Sequence, residues 1–193
     1  MTGGIACGKS TVADFWRRWG AEVLDADDVA HALIAPGGEC AEAVAREFGA
    51  RAGAAKGGID RVALGAVVFA DAAARERLNR LLHPAVIRRM RAWADGIRRD
   101  GRRGVAVIPL LFEVGLEKEW DAVVCVAADE KTMWERLAAR GLSPAEAKAR
   151  IASQWPVREK SARADRVIEN NGSLADLEKA CRAVWNDLVE QGE

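Results

Sequence analysis

The chain has 193 residues, half of them hydrophobic and 30% charged, the balance of a globular enzyme with one well-formed core. Its 29 basic and 29 acidic residues cancel, so no overall charge points to nucleic acid or to an anionic membrane as a partner. No apolar run approaches the roughly 20 residues of a membrane helix, and no basic-then-apolar leader pattern opens the chain. Cys7, Cys40, Cys125 and Cys181 lie too far apart for a CxxC metal or redox pair, and they fit a reduced, cytoplasmic setting.

Short apolar runs alternate with helical stretches, the pattern of a parallel sheet wrapped by helices. A glycine-rich turn comes first, followed by helical periodicity over Ser10–Trp19. Trp16 and Trp19 share one face of that helix and read as packing residues. A strand is expected at Glu22–Leu24. Helices follow over Ala26–Ile34, Cys40–Phe48, Asp60–Phe69, Ala72–Leu82 and Pro84–Arg99, the last begun by the His83-Pro84 pair. The arginines from Arg88 to Arg103 read as a solvated helix face. Strands are expected at Val105–Ile108, Ala122–Val126 and Arg166–Ile168. Helices are expected over Glu130–Arg140, Pro144–Gln154 and Leu174–Glu190.

Residues 36–103 contain no strand, so this block reads as a helical insertion carrying a substrate lobe. Residues 1–35 and 104–193 then form the core, with a charged helical lid over about 140–163.

Gly3-Gly4-Ile5-Ala6-Cys7-Gly8-Lys9-Ser10 fits G-x-x-x-x-G-K-[ST] without a mismatch. Glycines let the backbone curl so that its N–H groups point at phosphate oxygens, from Gly4 and Ile5 round to Gly8. The following helix adds its positive N-terminal end. Lys9 supplies a charge between the β- and γ-phosphates, Ser10 a hydroxyl for Mg²⁺, and Thr11 a contact for the α-phosphate. ATP and Mg²⁺ are therefore the expected cofactors. Cys7 has two readings: a thiol activated by the helix end, or a small residue lending only its N–H.

Only Met1 and Thr2 precede this loop, where a buried strand of about five residues is expected. The missing strand predicts unpaired groups on its neighbours, and hence a natural product that begins several residues upstream.

GTPases are disfavoured because neither Asn-Lys-x-Asp nor Asp-x-x-Gly occurs. The apolar run Val105–Ile108 ends in Pro109-Leu110-Leu111-Phe112-Glu113 and not in a Walker-B aspartate, which argues against motor and transport ATPases. A compact kinase remains. Asp25 and Asp27 stand at the end of the strand at Glu22–Leu24, and either is also a good helix N-cap.

At this level the chain resembles the dephospho-coenzyme A kinase family, from Thr2 to about Asn186. The resemblance rests on ordered blocks. They are Thr2-Gly3-Gly4-Ile5 with Gly8-Lys9-Ser10-Thr11; Leu24-Asp25-Ala26-Asp27 with Ala30-His31; and Phe48-Gly49 with Gly58-Ile59-Asp60-Arg61, Leu64 and Val68-Phe69. Then come Leu78-Asn79 with His83-Pro84; Pro109-Leu110-Leu111-Phe112-Glu113; Arg136-Leu137 and Arg140 with Arg150-Ile151 and Gln154; and Ala164-Asp165, Val167-Ile168 and Asn170 to Gly172. Ala6 and Cys7 depart from the Gly and Ser often found in the family's loop.

The resemblance implies a P-loop NTPase-type three-layer α/β/α fold. It also implies transfer of the ATP γ-phosphoryl group to the 3′-hydroxyl of dephospho-coenzyme A. It picks Asp27 as the carboxylate that orients or deprotonates that hydroxyl, with Asp25 holding Mg²⁺ through water or supporting the loop. Arg140, with Arg136 one turn before it, resembles a lid arginine closing over phosphates. His83 and Arg88 fall near the acceptor, as do His31, Leu110, Phe112 and Glu113, and Asn170 falls near adenine. A nucleoside or nucleotide kinase of the same class is one alternative. A non-catalytic nucleotide-binding protein that lost its first strand is the other. Monomer and homotrimer both stay open.

Overall fold

The computed structural model describes residues 1–53 and 59–190. Gly58, part of one resemblance block, lies outside them. The chain divides into two compact units. One is Met1–Val23 with the chain from Arg103 onward, and the other is Leu24–Arg102. The helix after the first acidic pair thus groups with the helical unit.

The first unit holds a parallel sheet. Strands β1 (Thr2–Gly3), β4 (Val124–Ala127) and β5 (Arg166–Glu169) lie in the order β1-β4-β5, with Thr2 opposite Cys125 and Val126 opposite Ile168. A second ladder pairs β2 (Glu22–Asp25) with β3 (Gly104–Val107), where Glu22 N–H donates to the Arg103 carbonyl at 2.9 Å. Every residue of β4 is buried, as expected of a strand covered on both faces.

Alternation sends its side chains two ways. Val124 and Val126 join a core with Val12, Phe15 and Trp16 of α1 (Lys9–Arg18) and Leu177 and Cys181 of α9 (Leu174–Glu190). Cys125 meets Ser161 of α8 (Val157–Arg163), Sγ to Oγ 3.6 Å. Helices thus cover both sides of the sheet, the three-layer arrangement of P-loop folds. The tryptophans behave as packing residues. Trp16 donates through Nε1 to the Cys181 carbonyl, and its ring centroid lies 5.9 Å from that of Trp185. Such a pair adds about 0.5–1.5 kcal/mol beyond burial.

Two expectations need correcting. The strand before the loop is present in short form. Thr2–Gly3 pairs with β4, while the Met1 amino group donates to the Ala106 carbonyl at 2.7 Å and Ile108 N–H donates to the Met1 carbonyl at 2.9 Å. Thr2–Gly3 therefore has a ladder on one side, and Met1 bonds to Ala106 and Ile108 on the other. Second, His83-Pro84 starts no helix. One continuous helix, α5 (Ala72–Arg99), runs through Pro84. The stretch expected to be helical over about 140–163 holds α7 (Pro144–Ala152) and α8, after α6 (Glu130–Ala139). Ser143 starts α7 with a full capping box to Glu146.

The second unit is helical: α2 (Ala26–Ile34), α3 (Ala41–Phe48), α4 (Arg61–Ala70) and α5. Asp25, Asp60 and Asp71 cap α2, α4 and α5 by accepting backbone N–H bonds.

Candidate active site

The loop between β1 and α1 is built by close approach as much as by curl. Gly3 sits at φ 143°, and a Cβ there would lie 2.1 Å from the Val126 carbonyl oxygen. Gly8 caps α1 at φ 96°, where a Cβ would lie 2.2 Å from Asn170 Nδ2. Neither position admits a side chain. Ala6 adopts φ 59°, the left-handed region that glycine takes without cost, so the alanine here keeps the curl under local strain.

No side chain caps α1. Its first N–H groups and the helix dipole thus remain available to an anion. Lys9 reaches back across the loop, donating to the Gly4 carbonyl at 2.8 Å and the Gly3 carbonyl at 3.1 Å. Ser10 is exposed in the first turn, and Thr11 is half-buried beside it. Cys7 is fully buried. Burial pushes its thiol above the ordinary range, although Lys9 and nearby backbone N–H groups pull the other way. The thiol is thus protonated and unreactive, which favours the smaller of its two roles.

Two side chains from distant elements hold the loop. Arg136 on α6 donates to the Ala6 carbonyl at 3.2 Å, and to the Asn170 carbonyl and Oδ1 at 3.0 and 3.1 Å. Asn170, just after β5, is 5% exposed and donates through Nδ2 to the Cys7 carbonyl at 2.8 Å. Its own N–H donates to the Ala127 carbonyl. The family resemblance implies that both residues lie near the nucleotide but carries no sign of this clamp, and Asn170 and Cys7 lie 163 positions apart.

Replacing Asn170 with alanine leaves the buried Cys7 carbonyl without its donor. The expected result is about 1–3 kcal/mol less stability, together with a clear loss of ATP affinity because the loop loses its shape. Thermal melting and ATP titration of Asn170→Ala check this. Unchanged affinity in the folded variant would detach Asn170 from the loop's geometry.

Beside the loop lies a cavity of about 580 Å³, lined among others by Gly4, Ile5, Met133, Gln154, Trp155 and Asn171. Arg140 is exposed at the C-cap of α6. At the end of β3, Leu111 and Phe112 are buried and Leu110 is half-buried. The Glu113 carboxylate pairs with Lys160 at 2.7 Å and accepts the Trp155 N–H at 2.8 Å.

The second unit carries the acidic pair. Asp25 ends β2 and caps α2, its Oδ1 accepting the Asp27 N–H at 2.8 Å. The strand therefore ends at Asp25, and Asp27 already belongs to the helix. Asp27 is exposed in the first helical turn. His31 lies one turn on, with the Arg61 guanidinium 3.0 Å from Nδ1 and 3.1 Å from Nε2. Sequence reading gave Arg61 no role, since its helix begins 30 residues later. Arg88 pairs with Glu39. His83 is half-buried inside α5, and burial lowers its pKa, which keeps the imidazole neutral. Among the described residues, no group of three or more His, Cys, Asp or Glu side chains is arranged to hold a metal.

A family model described as dephospho-CoA kinase matches residues 1–176. The chain is 45% identical over 187 residues to a dephospho-CoA kinase of Symbiobacterium thermophilum, covering 96% of this chain and 78% of that protein. It is 50% identical over 190 residues to one of Anaeromyxobacter dehalogenans, covering 97% and 90%. A crystal structure from Thermus thermophilus matches with a TM-score of 0.77 at 39% identity, covering 97% of this chain and 95% of that one.

Proposed function

The chain belongs to the dephospho-CoA kinase family, and from that premise we propose how its residues divide the work. The reaction is transfer of the ATP γ-phosphoryl group to the 3′-hydroxyl of dephospho-CoA, giving CoA and ADP. Such transfer needs positioning and charge stabilisation more than covalent chemistry. The observation that carries the reading is the loop itself: an uncapped helix end, inward-curled backbone, and the Lys9 ammonium held across its mouth.

Backbone N–H groups from Gly4 to Thr11 bind the phosphates, and Lys9 offsets charge as the γ-phosphoryl group moves. Asp27 accepts or orients the proton of the 3′-hydroxyl. Ser10 and Asp25 each offer a hard oxygen of the kind Mg²⁺ takes, and Mg²⁺ commonly completes its shell with substrate phosphates and water. When bound, the ion supplies charge neutralisation between the phosphates.

We read residues 140–163 as the lid, with Arg140 closing over the phosphates and Arg136 and Asn170 shaping the adenine side. The helical unit is read as the acceptor lobe. In it His31, His83 and Arg88 border dephospho-CoA; Leu110 and Phe112, after β3, contribute as well, and Glu113 of the same segment is paired with Lys160. A neutral His83 would act there as a hydrogen-bonding group and not as a phosphate-binding cation. No helix among the described residues is long and apolar enough to cross a membrane. The four cysteines are free thiols, which supports work in the reducing cytoplasm.

The test is coupled ADP release with Mg-ATP. Dephospho-CoA is expected to support turnover and nucleoside monophosphates are not. Turnover with a monophosphate and none with dephospho-CoA would overturn the reading.

A further inference from the structure

Lys160 is a lysine with no exposed surface. Its side chain is 0% accessible, yet its chemistry is that of a strongly hydrated cation. The ammonium is accounted for by two acceptors on one short segment. It lies 2.7 Å from Glu113 Oε1 and donates to the Pro109 carbonyl at 2.6 Å. The Pro109 carbonyl also accepts the Thr2 hydroxyl at 3.3 Å, immediately before the phosphate loop. Glu113 Oε1 accepts a second bond, from the Trp155 N–H at the junction of α7 and α8. Among the described residues, Glu113 Oε2 is buried without a hydrogen-bond partner. The carboxylate is thus held by one oxygen, and that oxygen is shared between Lys160 and Trp155.

We propose that Lys160 is a positioning residue for the acceptor: its buried ammonium fixes the Pro109–Glu113 segment and the Trp155 junction against the base of the phosphate loop. This rests on the reading above that Leu110 and Phe112 border dephospho-CoA. Packing alone does not call for a charge here. A well-packed apolar pair of similar volume is often as stable as a buried ion pair, so the pair contributes direction. An ammonium demands acceptors at defined positions and a carboxylate demands donors, whereas a methionine would accept several neighbouring backbone settings. Glu113 then acts through Lys160 and Trp155 in place of touching substrate. The three segments so joined are remote in sequence, with 51 positions between Pro109 and Lys160 and 42 between Glu113 and Trp155.

The full chain is compared as wild type, Lys160→Met, Glu113→Gln and the double variant. Lys160→Met is expected to raise KM for dephospho-CoA by about 10-fold while KM for ATP stays within about 2-fold. Amide exchange at Trp155 and residues 110–114 should accelerate by about 10-fold in Lys160→Met, with α9 unchanged. Adding Glu113→Gln to Lys160→Met removes the stranded charge but restores no ammonium, so KM for dephospho-CoA should stay raised by about 5-fold or more.

Unchanged KM for dephospho-CoA in Lys160→Met would overturn the proposal. So would an equal rise for both substrates, or a double variant with wild-type KM for dephospho-CoA. If Lys160→Met does not fold, Glu113→Gln decides. Faster exchange at Trp155 with a raised KM for dephospho-CoA supports the role, and wild-type behaviour ends it. Should the wild type fail to phosphorylate dephospho-CoA, the functional reading falls. Exchange at Trp155 still decides whether Lys160 fixes the segment.

Discussion

Lys9→Ala is expected to abolish phosphoryl transfer in a chain that still folds. The ammonium makes two bonds to the loop itself, to the Gly3 and Gly4 carbonyls, both only partly buried. Losing them costs stability on the order of 1–3 kcal/mol, because water can replace the donor at carbonyls near the surface. The hydrophobic centre of the unit, around Val12, Trp16 and Val126, does not involve Lys9. Catalysis loses far more. A charge aimed at phosphate oxygens acts most strongly in the transition state, where removing one such donor lowers kcat by about 10²–10³-fold. Arginine does not replace it, since a planar fork cannot substitute for a compact point charge in a narrow loop. Turnover with Mg-ATP and dephospho-CoA, alongside thermal melting, makes the measurement. Near wild-type turnover in a folded Lys9→Ala protein would sink the role assigned to the loop.

Asp27→Asn is expected to lower kcat by about 10²-fold or more, the usual scale for loss of a positioned base. Asparagine keeps the size and the exposure of the side chain in the first turn of α2, so the fold should be indifferent. Asp25→Asn separates the two carboxylates cleanly. Asp25 caps α2 through the Asp27 N–H, and asparagine caps a helix about as well as aspartate. Any loss in Asp25→Asn is therefore electrostatic, and it should appear as a higher Mg²⁺ requirement. Steady-state rates across a Mg²⁺ titration distinguish the two profiles. An active Asp27→Asn beside an inactive Asp25→Asn would reverse the roles.

Much of the molecule is local and was therefore legible in the amino-acid order. The glycine-lysine-serine loop reads directly from spacing, because backbone curl and a following helix depend on neighbours in the chain. The helices Ala26–Ile34 and Leu174–Glu190 have the bounds that periodicity predicts, and the other strands and helices, apart from those corrected above, differ by a residue or two. The sheet class followed from the alternation of strand and helix, and the ordered motif blocks carried the family.

The tertiary structure decided what non-local partners decide. Thr2–Gly3 is too short to read as a strand, and it becomes one because β4 supplies a ladder and Met1 bonds to β3. Pro84 reads as a helix start, since it lacks an N–H and costs about 3 kcal/mol within a helix. The helix continues through it because Leu82, Ala85, Val86 and Met90 are buried on both sides of the break, and their burial offsets that cost. The clamp of Arg136 and Asn170 on the loop, and the Lys160–Glu113 pair beneath it, leave no local trace. A charged residue in a helical stretch reads as exposed by default, and only the arrival of a partner from 47 positions away makes burial of Lys160 tolerable. Sequence alone thus determined the chemistry of the loop and the class of the fold. Long-range pairing determined which groups hold that loop in shape, because hydrogen bonds and ion pairs in a dry interior depend on where the chain returns.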